Sequence, residues 1–205
     1  MKNQTLAFLL PTLGLLTTGA SLWYSIFVWQ SPVTGFIIFW TAWSLYCHII
    51  SCGVGLFNAF HLASRIVHGK VLSLATTVCL GVALQFWVLF SLGLLIYPGS
   101  RTEQIPMAQF HLQHSFPALN LVLQCLFFKH TRDKQSGDGD HIIITFTEQM
   151  ISNTVLALVY LAVMWISVTY VFPGTSLPYS FMPMLTLSGW IGCVFAFLFL
   201  TSIMC

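Results

Sequence analysis

Residues 6–28, LAFLLPTLGLLTTGASLWYSIFV, decide the fold class because 23 consecutive positions carry no charged side chain. An α-helix needs about 20 apolar residues to cross about 30 Å of hydrocarbon, so this stretch is long enough to span a bilayer. The sequence therefore predicts an all-α integral membrane protein, with residues 1–205 forming one transmembrane bundle of six helices. Further apolar runs lie near residues 33–57, 71–97, 105–128, 144–172 and 184–204.

The composition excludes several other classes of protein. The chain is 57% hydrophobic and 6% charged, whereas soluble globular proteins carry about 25% charged residues. A net charge of +2 without a basic cluster argues against nucleic-acid binding, because too few phosphates could be neutralised. Six cysteines without a C-x-x-C spacing favour neither a zinc ribbon nor a redox motif.

The distribution of basic residues predicts the orientation of the bundle. Cytoplasmic connections of membrane proteins are enriched in Lys and Arg. With six spans and both termini in the cytoplasm, six basic residues fall inside and one, Arg101, falls outside. The inner residues are Lys2, Arg65, Lys70, Lys129, Arg132 and Lys134.

The N-terminus has an alternative interpretation as a cleavable signal peptide. Lys2, an apolar stretch and the small residues Thr17, Thr18, Gly19 and Ala20 fit that pattern. The apolar run continues to residue 28 without a break, which favours a membrane span.

Polar side chains within the predicted spans mark the candidate site. Such groups are costly in hydrocarbon and usually face the bundle interior or a water-filled cavity. The fourth span is the richest of them in histidine and amide side chains. The set is Thr41, Ser44, His48 and Ser51 in span two, His111, Gln113, His114, Asn120 and Gln124 in span four, and Glu148, Gln149, Ser152 and Asn153 in span five.

Thr41 and His114 are predicted to lie at the same depth. Both spans enter from the outer face, and at 1.5 Å per residue Thr41 lies about 12 Å and His114 about 13 Å along its helix. If the two helices are neighbours, their side chains can form a hydrogen bond. Pro117 removes the helical partner of the Gln113 carbonyl beside His114, which indicates either an ordinary kink or a polar cavity.

Two motifs resemble the androgen-induced gene family of multi-pass membrane threonine hydrolases. They are Phe39-Trp40-Thr41 in span two and His111-Leu112-Gln113-His114-Ser115 in span four. Trp165 and the segment 177–181, LPYSF, resemble later family motifs, whereas Gln124 stands where the family has Glu. The resemblance implies six spans and hydrolysis of fatty acid esters of hydroxy fatty acids by a Thr nucleophile and a His.

The resulting site hypothesis assigns Thr41 as nucleophile and His114 as general base. The substrate is a lipid ester that enters from the bilayer, and neither a metal nor a cofactor is predicted. Membrane lipids are the other expected partners. Five residues are predicted to line the substrate cavity: Ser44, His48, His111, Gln113 and Asn120.

Two other classes of function stay open from the sequence. The residues His48, His111 and His114 could ligate a haem or a metal in an electron-transfer protein. Alternatively, the polar face of span four could belong to a non-catalytic transporter or scaffold. The segment from Pro173 to Pro183 is predicted to cap the cavity.

Overall fold

The computed structural model describes residues 2–28, 40–60, 62, 64–93, 106–135 and 146–171, and its regular structure there is helical throughout. The α-helices are α1 (Lys2–Trp23), α2 (Trp40–Ala59), α3 (Arg65–Ser91), α4 (Met107–Phe110), α5 (Phe116–Gln135) and α6 (Phe146–Ile166). π-Helical turns cover Tyr24–Val28, His111–Ser115 and Ser167–Val171. Because α4, the turn His111–Ser115 and α5 follow one another without interruption, we call them together the fourth rod.

The described helices alternate in direction along the chain. Residue numbers of contacting pairs rise together between α2 and the fourth rod, so those two run parallel. They run in opposite order between α1 and α2 and between α3 and the fourth rod. The pairs are Thr41–His114, His48–Asn120 and Cys52–Gln124, then Thr18–His48 and Gly14–Cys52, then Phe86–His114, Thr76–Cys125 and His68–Phe128.

Helix α6 packs on α3 and follows its direction. Glu148 lies beside Lys70 near the start of both helices, and Tyr160 packs against Trp40 at the other end of the bundle. We call these two ends of the bundle the Lys70 end and the Thr41 end. Such up-and-down order is what successive membrane crossings require.

The boundaries of α3 have local causes. The Ser64 side chain accepts a hydrogen bond from the Ile66 N–H at 3.2 Å, which caps the first turn. After Ser91 the chain turns at Gly93, whose φ of 71° is a left-handed conformation that glycine adopts without a steric penalty.

Three predicted boundaries differ from the structure. Helix α3 begins at Arg65, not at residue 71, and ends at Ser91, before residue 97, whereas α5 continues to Gln135, beyond the predicted end at residue 128. Apolar length indicates where a helix can lie in hydrocarbon, and a helical backbone can extend beyond that length. Helix α3 ends early because the chain turns at Gly93.

Small side chains form the centre of the bundle. The core cluster is buried between α3 and α5 and consists of Leu72, Ala75, Cys79, Ala118 and Leu121. Small residues at helix contacts let backbones approach closely, as is common in membrane bundles.

The outer surface is apolar on several helices. Leu16 on α1, Leu119 on α5 and Leu158 on α6 are each more than half exposed. Three helical segments, Thr5–Val28, Arg65–Ser91 and Thr147–Val171, are long and apolar enough to cross a membrane. The predicted all-α, membrane character holds for these segments, whereas the sixth predicted span and the segment from Pro173 to Pro183 lie outside the described residues.

Candidate functional site

Thr41 and His114 meet at one end of the bundle, as their matched predicted depths allow for neighbouring helices. The Thr41 hydroxyl oxygen lies 3.2 Å from Nε2 of His114. Thr41 is in the first turn of α2 and is partly buried, whereas His114 is 5% exposed in the π-helical turn. This distance is at the long end of hydrogen bonding, as is common for catalytic pairs without substrate.

The second nitrogen of His114 fixes the direction of this hydrogen bond. Nδ1 lies 2.9 Å from the carbonyl oxygen of Phe110, four residues back. Because a carbonyl only accepts, Nδ1 carries the hydrogen, and in a neutral imidazole Nε2 is then the acceptor. The Thr41 hydroxyl therefore donates to Nε2, the direction in which a general base receives a proton.

His114 lies in a π-helical turn. In such a turn each N–H bonds to the carbonyl five residues back, and the Phe116 N–H accordingly donates to the His111 carbonyl. The Phe110 carbonyl, at the start of the same turn, also accepts from Nδ1 of the His114 ring. The turn ends two residues before Pro117, where the sequence predicts either a kink or a polar cavity.

Aromatic packing holds the His114 ring in place. The Phe86 ring from α3 stacks on it with centroids 3.6 Å apart and planes 19° apart. The Phe110 ring lies tilted beside it with centroids 6.5 Å apart, and its side chain is buried. These two ring contacts and two hydrogen bonds leave the imidazole little freedom to rotate.

Ser44 lies one turn below Thr41 and is fully engaged with backbone groups. Its hydroxyl donates to the Thr41 carbonyl at 2.7 Å, and its own carbonyl accepts from the Cys79 thiol at 3.3 Å. Ser44 thus joins the first turn of α2 to α3 and holds the Thr41 backbone through a hydrogen bond.

A second hydroxyl–imidazole pair lies deeper in the bundle. The Thr18 oxygen is 2.7 Å from Nδ1 of His48, and Nε2 of His48 is 3.0 Å from Oδ1 of Asn120. Asn120 uses its amide nitrogen to donate to the Leu10 carbonyl, so its oxygen is the acceptor. His48 therefore donates from Nε2 and accepts the Thr18 hydroxyl proton at Nδ1.

This second pair is buried within the bundle. Thr18 and His48 are 0% exposed. Gln124 donates to the same Asn120 oxygen at 2.7 Å. His48 and Asn120, which the sequence predicts to line a substrate cavity, join α1, α2 and α5 through buried hydrogen bonds.

Gln113 and His111 also bond away from Thr41. The Gln113 amide donates to the Ser25 hydroxyl of the first π turn at 2.8 Å. His111 is exposed, and its Nδ1 lies 3.1 Å from the Ser115 hydroxyl, which also accepts from the Trp87 indole. Both residues thus fasten the end of the fourth rod to neighbouring helices.

Sequence reasoning missed the polar face of α1. Gly14, Thr18, Ser21 and Ser25 are spaced by four, three and four residues, which places them on one helix face. Gln109 donates to the Ser21 carbonyl and hydroxyl and to the Ser25 hydroxyl. The spacing of these residues indicates the polar face, but the small residues of this segment also fit the cleavage site of a signal peptide.

Metal and haem ligation have little support in the described ranges. No group of three or more His, Cys, Asp or Glu residues there could hold a metal ion. Both ring nitrogens of His48 and both of His114 already face hydrogen-bonding partners. A haem or metal would have to displace those bonds.

A separate groove of about 300 Å³ lies between α3 and α6 at the Lys70 end. Lys70 and Glu148 form an ion pair of 3.5 Å at its rim, with both side chains about half exposed. Gln149 at its base accepts from Ser73 and donates to Thr77. The groove is thus distant from Thr41. Its base is the Gln149 amide, whose oxygen and nitrogen are both hydrogen bonded.

The chain matches no protein-family model, no curated protein and no solved structure.

Proposed function

We propose that the chain is a membrane-embedded hydrolase of lipid esters, with Thr41 as nucleophile and His114 as general base. The observation that carries this proposal is the directed hydrogen bond from the Thr41 hydroxyl to Nε2 of His114. The resemblance to the androgen-induced gene family, drawn from Phe39-Trp40-Thr41 and the His111–His114 pair, supports the same two residues.

The first half-reaction forms an acyl-threonine. As the Thr41 oxygen attacks the ester carbonyl, its proton passes to Nε2 of His114. The new bond joins the acyl carbon to the Thr41 oxygen, and the bond to the alcohol oxygen breaks. The His114 imidazolium returns the proton to the departing alcohol.

The second half-reaction releases the fatty acid. Water attacks the acyl-threonine while His114 again receives the proton and then returns it to the Thr41 oxygen. General-base assistance of this kind contributes about 10²–10⁴-fold in rate. The Phe110 carbonyl takes the orienting part that a carboxylate takes in serine hydrolases, because it holds the ring through Nδ1–H.

The location of the pair suits a lipid substrate. With both termini in the cytoplasm and six spans, Thr41 and His114 belong to the outer leaflet and Lys70 to the inner face. Exposed leucines on α1, α5 and α6 give the bundle an apolar outer surface that suits contact with acyl chains. An ester of a fatty acid with a hydroxy fatty acid presents a carbonyl at such a depth.

The proposal is tested with the full chain in lipid nanodiscs. A fluorophosphonate probe should label the wild-type protein, and Thr41→Val should abolish labelling and hydrolysis of a hydroxy fatty acid ester. Thr77→Val is the matched control because Thr77 is also buried and hydrogen bonded, but in α3 at the Lys70 end. We expect Thr77→Val to retain activity.

His114→Gln provides the second arm of the test. It keeps a polar side chain but removes the base, so we expect hydrolysis to fall by about 10²-fold or more. Undiminished labelling in Thr41→Val, with the protein folded, would refute Thr41 as the nucleophile. A folded wild-type protein that is neither labelled nor active would leave the non-catalytic transporter or scaffold.

A further inference from the structure

Four buried polar atoms near the Lys70 end have no protein hydrogen-bond partner in the described part of the chain. They are Oγ of Ser51, Nδ1 and Nε2 of His68, and Oε1 of Gln124. All three side chains are more than nine-tenths buried. Leaving such a group unsatisfied is destabilising, so four in one bundle require an explanation.

Two of these atoms lie together beside Gly55. Nε2 of His68 lies 3.3 Å, and Oε1 of Gln124 3.5 Å, from the point where a Cβ on Gly55 would lie. The two atoms are therefore at most about 7 Å apart, a separation that one or two hydrogen-bonded water molecules span. Ser51 is one turn away from Gly55 on α2 and faces the same side of the helix.

The neighbouring side chains do not supply hydrogen-bond partners for these atoms. Gln124 uses its amide nitrogen on Asn120 and on the Cys52 sulfur, which leaves its oxygen unpaired. The His68 ring packs edge-on against Phe128 with centroids 5.0 Å apart, a contact that satisfies neither nitrogen. Pro11, 3.1 Å from the same Cβ position, has no N–H to offer.

The donors and acceptors identify the ligand as water. A neutral imidazole offers one N–H and one acceptor nitrogen, the Gln124 oxygen only accepts, and the Ser51 hydroxyl does both. A ligand must therefore both donate and accept, which a water molecule does and a cation does not. None of the three side chains carries a fixed charge that would favour an ion.

We propose that Ser51, His68 and Gln124 form an internal water site at the Lys70 end of the bundle, closed on one side by Gly55. Buried waters typically make about three hydrogen bonds to groups that lack protein partners. One or two molecules satisfy the set and join α3 to α2 and α5, beside the direct bond from Gln124 to the Cys52 sulfur. This site is independent of any chemistry at Thr41.

Radiolytic hydroxyl labelling of the full chain in nanodiscs tests the site without any substitution. Bound water yields radicals in place, so His68 should be oxidised, and the yield should persist when a bulky radical scavenger is added to the bulk solution. His48 is the matched control because it is also a buried imidazole, but its two nitrogens bond to protein groups. A His68 yield that equals that of His48, or that the scavenger removes, would overturn the proposal.

Ser51→Ala supplies a second test, because Tm should change in one direction if water binds Ser51 and not in that direction if the hydroxyl is dry. If water binds Ser51, the substitution loses a water-mediated bond and we expect a Tm lower by about 2–4 °C. If the hydroxyl is dry and unsatisfied, the substitution relieves a cost and Tm stays the same or rises, which would contradict the site. Ser44→Ala calibrates the assay, since Ser44 loses a direct bond to the Thr41 carbonyl.

Discussion

Gly14 on α1 offers the sharpest test of the buried network. A Cβ at this position would lie 2.6 Å from the Asn120 side-chain oxygen, 2.6 Å from the Cys52 sulfur and 3.1 Å from Nε2 of His48. Real Cβ atoms do not approach other atoms within 3.0 Å, so Gly14→Ala must push the helices or these side chains apart. The Asn120 oxygen that moves is the acceptor for both His48 and Gln124.

The magnitude follows from the contacts that are lost. Overpacking a close-packed interior costs about 1–3 kcal/mol, and each weakened hydrogen bond about 0.5–1.5 kcal/mol. The gain in helix propensity from Gly to Ala, about 0.5–1 kcal/mol, offsets part of this. The sum is roughly 2–5 kcal/mol, or a fall in Tm of roughly 5–15 °C for a chain of this size.

Gly19→Ala is the matched control on the same helix. No atom lies within 4 Å of its Cβ position, so only the propensity gain applies and we expect an unchanged or slightly higher Tm. A thiol-reactive fluorogenic dye follows unfolding in detergent, because the buried thiols of Cys52 and Cys79 react only once the bundle opens. Equal melting of Gly14→Ala and Gly19→Ala would refute the packing described for α1.

Three further substitutions test separate contacts by the same thermal assay. Thr18→Val keeps the shape of the side chain but removes the hydroxyl that donates to His48, so we expect Tm to fall by roughly 2–6 °C. Thr18→Ser should melt near wild type, and equal Tm values for the Val and Ser variants would contradict the hydrogen bond. Gln149→Leu removes the amide that joins α3 to α6, so we expect Tm to fall while α1 to α5 remain packed, as protease resistance of the chain before α6 would show. Lys70→Met should change stability by less than about 1 kcal/mol, because the ion pair with Glu148 is half exposed, and a large loss that salt abolishes would disagree.

Much of the fold follows from hydrophobic length and pattern. Runs of about 20 apolar residues identify membrane helices because every backbone polar group in hydrocarbon must bond within its own helix. The described helices fall within or overlap five of the predicted runs. Helix ends were predicted less well, since α3 begins before, and α5 continues past, the apolar stretch from which each helix was predicted.

The candidate site was predictable in one respect and not in another. Constant helix rise predicts equal depths for Thr41 and His114, and because α2 and the fourth rod are neighbours the two side chains meet. The partners of His48 were not predictable, because depth along α2 says nothing about which helix faces it. Thr18 supplies that partner from α1, and only the three-dimensional packing brings the two together.

The wide turn at His111–Ser115 makes the spacing of the fourth rod unusually demanding. Such a turn holds one residue more than an α-helical turn, and each residue rotates the helix by about 100°. Gln109 before the turn and Asn120 after it both bond to α1, at Ser21 and at Leu10. Deleting a single residue between them would rotate one anchor away from α1 whenever the other stayed in place, so insertions and deletions here are far less tolerable than substitutions.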